Sequence, residues 1–84
     1  MKFVKITAMW CPSCLIMNDL ITDIINEYNF ELMSYDFDLD QDIVSKYNIG
    51  NILPVLIKTD EEGNEIKRIT GEHSKKEIID FIEG

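Results

Sequence analysis

The spacing of apolar and polar residues changes several times along this chain of 84 residues, and each change marks an element. Lys2 to Ala8 is short and rich in β-branched and aromatic residues, which predicts a strand. Side chains alternate across a strand, so Val4, Ile6 and Ala8 share one face while Phe3, Lys5 and Thr7 share the other. From Pro12 to about Tyr28 the apolar positions are Ile16, Met17, Leu20, Ile21, Ile24, Ile25 and Tyr28. Asn18, Asp19, Thr22, Asp23, Asn26 and Glu27 fill the gaps, a spacing that predicts an amphipathic helix. Pro12 suits its first position, where a missing N–H costs nothing.

Glu31 to Phe37 alternates as a second strand, and Asp40 to Tyr47 is predicted as a short helix with Asp40 or Asp42 near its start. Pro54-Val55-Leu56-Ile57 is almost wholly apolar, as in a strand covered on both faces. Asp60-Glu61-Glu62-Gly63-Asn64 reads as a turn, with Glu65 to Thr70 returning as the partner strand of a hairpin. Gly71 breaks the chain. Ser74 then caps a last helix from Lys75 to Glu83, in which Glu77 completes a capping box and Ile78, Ile79 and Ile82 face inward. The order β-α-β-α-β-β-α predicts an α/β fold, a mixed four-stranded sheet with helices on its faces, in a single domain spanning 1–84.

Charge narrows the partners. Sixteen acidic residues against 8 basic give a net charge of -8. Nucleic-acid binding rests on clustered Lys and Arg, and the pairs Lys67-Arg68 and Lys75-Lys76 sit among acids. Nucleic acid is therefore not an expected partner. Lys2 and Lys5 interrupt the first residues, so no apolar run of signal-peptide length forms, and no stretch approaches the roughly 18 apolar residues of a membrane span. The expectation is a soluble, monomeric, cytoplasmic protein without a membrane partner. In that reducing compartment a cysteine pair is more often catalytic or metal-binding than structural.

Both cysteines stand in Trp10-Cys11-Pro12-Ser13-Cys14. A disulfide between them closes so short a loop that it constrains the unfolded chain little, which argues against a structural staple. Cys11 falls where the first strand gives way to the first helix. Unpaired amides and the positive end of the helix dipole there favour a thiolate, the form that attacks. Cys14 lies one turn on, on the same side, within disulfide reach and deeper in the helix. The expected roles are nucleophile for Cys11 and resolving thiol for Cys14. Trp10 offers an apolar face for docking beside the pair, while Met9 and Met17 read as packing residues.

These residues resemble the thioredoxin superfamily. The Trp-Cys-Pro-Ser-Cys motif follows a strand and opens a helix. Forty residues after Cys14 stands Pro54, in Asn51-Ile52-Leu53-Pro54-Val55-Leu56-Ile57, which is similar to the family's cis-proline segment entering a central strand. Gly63 and Gly71 also fall where the family places glycines. The resemblance covers essentially the whole chain and implies a thioredoxin-like fold of glutaredoxin or minimal-thioredoxin size. It implies protein disulfides as substrates, a thioredoxin-reductase-like or other electron donor, and no cofactor beyond the Cys11–Cys14 disulfide. It also implies substrate docking along Trp10, Pro12, Leu53 and Pro54, with the Leu53 backbone pairing to an extended segment.

Three departures stand out. Thioredoxins commonly carry a buried acid six residues before the first cysteine, where this chain has Lys5. That lysine can favour a nearby thiolate by its charge or snorkel to solvent, and Asp36 or Asp38 are candidates to replace the acid. The run from Tyr47 to Pro54 is one residue longer than usual. Pro-Ser replaces the commonest intervening pair, Gly-Pro, and such residues influence a potential that spans roughly -270 to -120 mV across related oxidoreductases.

Two other readings use the same pair. A glutaredoxin-like, glutathione-dependent reductase shares Cys-Pro-x-Cys, but Thr70-Gly71-Glu72-His73-Ser74 carries one glycine where that family shows two, and Ser13 is not aromatic. A zinc or iron–sulfur module needs a second pair of ligands, and His73, the single histidine, lies far along the chain; only sharing between chains completes such a site. A thioredoxin-like interaction domain without redox chemistry leaves the two thiols unexplained.

Overall fold

The computed structural model describes residues 2–84. Seven elements follow in order: β1 (Lys2–Thr7), α1 (Pro12–Glu27), β2 (Glu31–Asp36), α2 (Gln41–Lys46), β3 (Val55–Thr59), β4 (Glu65–Thr70) and α3 (Lys75–Glu83). The sheet order is β2-β1-β3-β4. β1 runs parallel to β2 and antiparallel to β3, and β3 pairs antiparallel with β4. The mixed four-stranded sheet expected from the element order is the one that forms.

Strand position explains strand composition. β3 is central and every residue in it is buried, including Lys58 and Thr59 beyond the apolar run. Those two polar groups are accommodated locally, with Thr59 Oγ1 donating to the Lys2 carbonyl at 3.4 Å and Lys58 Nζ to that of Gly84 at 3.5 Å. The edge strands β2 and β4 are mostly half-exposed or exposed. β2 ends at Asp36, one residue short of the expected limit, although the Phe37 amide still donates to the Thr7 carbonyl at 2.8 Å.

The alternation along β1 divides the core. Val4, Ile6 and Ala8 pack with Tyr47, Leu53, Val55 and Ile57, and Ile43 of α2 lies against them. Phe3 packs on the opposite face with Met17, Ile21, Ile24 and Ile25 of α1, Leu56, and Ile78 and Ile82 of α3. The sheet is thus covered by α1 and α3 on one side and α2 on the other. Burial of these side chains is the main favourable term, at about 1.5–3 kcal/mol for each large aliphatic or aromatic residue.

The helix ends follow local chemistry. Asn29 and Asn48 take the left-handed conformation after α1 and α2, with φ of 57° and 51°. Ser74 Oγ accepts from the Glu77 amide while the Glu77 carboxylate accepts from the Ser74 amide, completing the expected capping box. Asp40 occupies the cap position of α2 but makes no side-chain cap; its carboxylate accepts from the Asp36 amide instead.

Ile16 corrects the expected stripe on α1. It is 62% exposed, while Met17 and Ile21 are buried. One residue turns a helix by roughly 100°, so Ile16 points away from the sheet that Met17 faces. Substituting Ile24→Ala should cost about 3 kcal/mol through lost burial and the cavity left behind. Ile16→Ala should change stability by less than about 0.5 kcal/mol. Urea unfolding of the two variants checks both values.

Candidate active site

The site begins with four peptide units. β1 ends at Thr7, and the chain turns through Ala8, Met9 and Trp10, with the Cys11 amide donating to the Ala8 carbonyl at 3.2 Å. Cys11 is the N-cap of α1, with extended backbone angles of φ -99° and ψ 108°, and Pro12 follows in the first helical turn. Its sulfur accepts from the Cys14 amide at 3.3 Å. A thiol sulfur thus fills the place that a serine or aspartate oxygen usually takes at a helix start.

A second segment reaches the same sulfur. The Cys11 thiol lies 3.7 Å from the Leu53 carbonyl, to which it donates. The Leu53–Pro54 peptide bond is cis, and both residues are buried beneath the cysteine loop. Residues from two segments of the chain therefore meet at one atom.

Both cysteines are free thiols, and Cys14 is the more deeply buried of the two. Burial pushes the Cys14 thiol up to about 11, helped by the adjacent Cys11 thiol. A backbone contact to Ala8 and the positive charge of Lys5 oppose that rise. Lys5 is only 4% exposed, so it does not carry its ammonium to open solvent. Its Nζ donates to Asn18 Oδ1 and, at 3.4 Å, to Thr22 Oγ1, both on α1. Burial lowers the Lys5 pKa, while the negative charges of Asp19 and Cys14 act the other way.

Trp10 stands beside the pair, 56% exposed yet anchored. Its indole N–H donates to Asp38 Oδ2 at 2.7 Å, and its ring meets Phe37 edge-on at a centroid distance of 5.9 Å. Asp38 is held in turn by Asp36, whose carboxylate accepts from the Asp38 and Leu39 amides at 2.8 and 3.0 Å. Of these acids, candidates to replace the family's buried carboxylate, Asp38 is engaged by the tryptophan, while Asp36 holds the turn and also lines a cleft with Cys14. The spacing Asp36-x-Asp38 at a strand end was the available signal for that turn.

Met9 also departs from expectation. It is 87% exposed and belongs with Trp10, Leu15, Ile16 and Ile52 to a set of exposed apolar side chains from the segments that bracket Cys11. Met17, by contrast, is core. His73 bonds locally to Glu77 and to the Thr70 carbonyl, apart from the thiols. Among the described residues no three His, Cys, Asp or Glu side chains cluster in a way that could hold a metal ion, and no helix is long and apolar enough to cross a membrane.

The thioredoxin family model matches residues 1–84. This chain belongs to the thioredoxin family. Thioredoxin 1 from the thermophilic eubacterium Thermosipho africanus is 25% identical, with a TM-score of 0.86 over 99% of this chain and 91% of that one. Reduced thioredoxin from Schistosoma mansoni is 24% identical, with a TM-score of 0.85 over 98% of this chain and 75% of that one. A thioredoxin variant from Halobacterium salinarum shares the fold at 20% identity and a TM-score of 0.85, covering 98% of this chain and 71% of that one. Family and fold together support a thiol–disulfide oxidoreductase kind of function.

The raised Cys14 pKa has a consequence with a definite sign. The folded thiol keeps its proton up to about 11, whereas an ordinary thiol releases it at 9.0. The stabilisation from Cys14 in the reduced protein is complete below pH 9 and lost as pH rises toward 11. Cys14 should accordingly resist iodoacetamide at pH 7. Replacing Cys11 with alanine removes two influences that raise its pKa, so the midpoint of Cys14 labelling, followed by mass spectrometry, should then fall below that of the reduced parent.

Proposed function

We propose that this thioredoxin-family chain is a protein disulfide reductase that cycles Cys11 and Cys14 between dithiol and disulfide. The carrying observation is the double engagement of the Cys11 sulfur. The Cys14 amide donates to it from the helix start, and the thiol itself donates to the Leu53 carbonyl. An amide aimed at sulfur stabilises the anion.

Cys11 thiolate attacks one sulfur of a substrate disulfide, forming a mixed disulfide and releasing the other sulfur as a thiolate that takes up a proton. Cys14 then loses its proton and attacks Cys11 Sγ. The Cys11–Cys14 disulfide forms, and the second substrate sulfur leaves as a thiolate. Two electrons pass from the protein dithiol to the substrate. The store is the sulfur pair itself, with no cofactor, and a thioredoxin-reductase-like or other donor returns the electrons.

Protein substrates fit the surroundings better than small thiols. Trp10 and Pro12 are exposed beside Cys11, together with apolar Met9, Leu15, Ile16 and Ile52. Such a surface suits an extended apolar segment, and in this reading the Leu53 backbone pairs with it once the thiol engages substrate. In this reading residues 1–84 act as a single-domain monomer in the cytoplasm.

A Cys14→Ser variant should accumulate a stable mixed disulfide with a reduction-prone protein such as insulin, linked through Cys11 and visible as a gel shift reversed by dithiothreitol. Cys11→Ser should form none, and should reduce insulin disulfides at least about a hundredfold more slowly than the parent, since no attacking thiolate remains. Full insulin reduction by Cys11→Ser would overturn the proposal.

A further inference from the structure

Lys5 is a buried basic side chain in this core. It is 4% exposed, yet among the described residues no carboxylate lies within ion-pair distance of it. Its partners are neutral oxygens, Asn18 Oδ1 and Thr22 Oγ1. Methionine would fill the same space without the penalty of burying a nitrogen that tends to be charged. The Lys5 side chain leaves β1 on the face of Phe3, which α1 covers, and Cys14 is buried one turn before Asn18 on that helix, where it packs with Ala8 and Cys11 in the cluster of Val4 and Ile6. Asn18 and Cys14 also line a shared cleft of about 160 Å³ with Thr7, Ala8, Met9, Leu15 and Asp36. The amide that holds the ammonium therefore stands at the solvent entry to the resolving thiol.

We propose that Lys5 is a positioning residue for Cys14: held by Asn18 and Thr22, its ammonium offsets the cost of forming a thiolate at the buried resolving sulfur. This deepens the proposed reductase cycle and rests on it. When the mixed disulfide has formed on Cys11, the Cys14 proton leaves through the cleft to water. The Cys14 anion, facing the Lys5 charge, attacks Cys11 Sγ, and the substrate thiolate departs and is protonated. Lys5 itself gains and loses no atom.

The charges around the pair are few. Asp19, next to Asn18 on α1, and Cys14 itself both favour a charged Lys5. Cys11 opposes ionisation of Cys14 and Lys5 promotes it. Asp36 from β2 forms part of the cleft wall, while the strand partners of Lys5, Ser34 and Leu56, carry no charge. Lys5 is thus the positive group whose charge favours a Cys14 thiolate, against burial and the neighbouring Cys11.

The test uses the full chain with Cys11→Ala, which leaves Cys14 as its one thiol, and follows iodoacetamide labelling against pH. Adding Lys5→Met should move the labelling midpoint upward and slow labelling at pH 8 by about tenfold, whereas Lys5→Arg should restore the parent profile. Lys5→Gln serves as a second uncharged variant. A midpoint that stays put or falls in both uncharged variants overturns the inference. Should neither fold, the Lys5 Cε resonance of the otherwise unaltered chain is titrated with and without Cys14→Ala. Loss of the sulfur should lower the Lys5 midpoint, and an unchanged midpoint counts against coupling. The reductase reading fails separately, by absence of a Cys11 mixed disulfide, and that result leaves the Lys5 profile intact as a measurement.

Discussion

A helix that starts beneath a protein surface needs an acceptor for its first amides, and in this chain the acceptor is sulfur. Cys11 caps α1 through the Cys14 amide, so the atom proposed to react is also the atom that closes a helix end. The arrangement depends on little else locally. Pro12 contributes a preset backbone angle and no competing donor. The Leu53 carbonyl then supplies the second contact to that sulfur.

The sheet brings those segments together. β1 and β2 run parallel, so the loops that follow them emerge at the same end of the sheet. The first of these loops carries Met9, Trp10 and Cys11; the second carries Phe37, Asp38 and Leu39, and the Trp10–Asp38 hydrogen bond ties them. β3 runs the opposite way beside β1, so its start, preceded by Leu53 and Pro54, arrives at that end as well. Ligand sites at the carboxyl ends of parallel strands are a general outcome of open α/β sheets. Here an antiparallel neighbour supplies the third wall.

Periodicity made most of this legible. The alternation of Val4, Ile6 and Ala8 against Phe3, Lys5 and Thr7 sorts the two halves of the core correctly, because a strand between two layers must feed both. Ser74 and Glu77 are a local device and needed no tertiary knowledge. What escaped were side chains whose setting depends on distant elements. Ile16 and Met9 are apolar by type and exposed by position. Lys5 is polar by type, and its place depends on Asn18 and Thr22, which no strand pattern brings into view. Asp36 and Asp38 were visible as acids but not as the anchor of an indole.

The link between Trp10 and Asp38 separates two properties that proteins often find hard to vary independently. Asp38 belongs to the turn after β2 and touches the indole, while the caps and carbonyl around Cys11 come from other segments. Changes at Asp38 or Leu39 can therefore tilt or release the tryptophan, altering the shape presented to a visitor, without touching the hydrogen bonds at the helix start that engage the sulfur. Recognition and reactivity sit on neighbouring but distinct scaffolds, which leaves the outer one free to diversify.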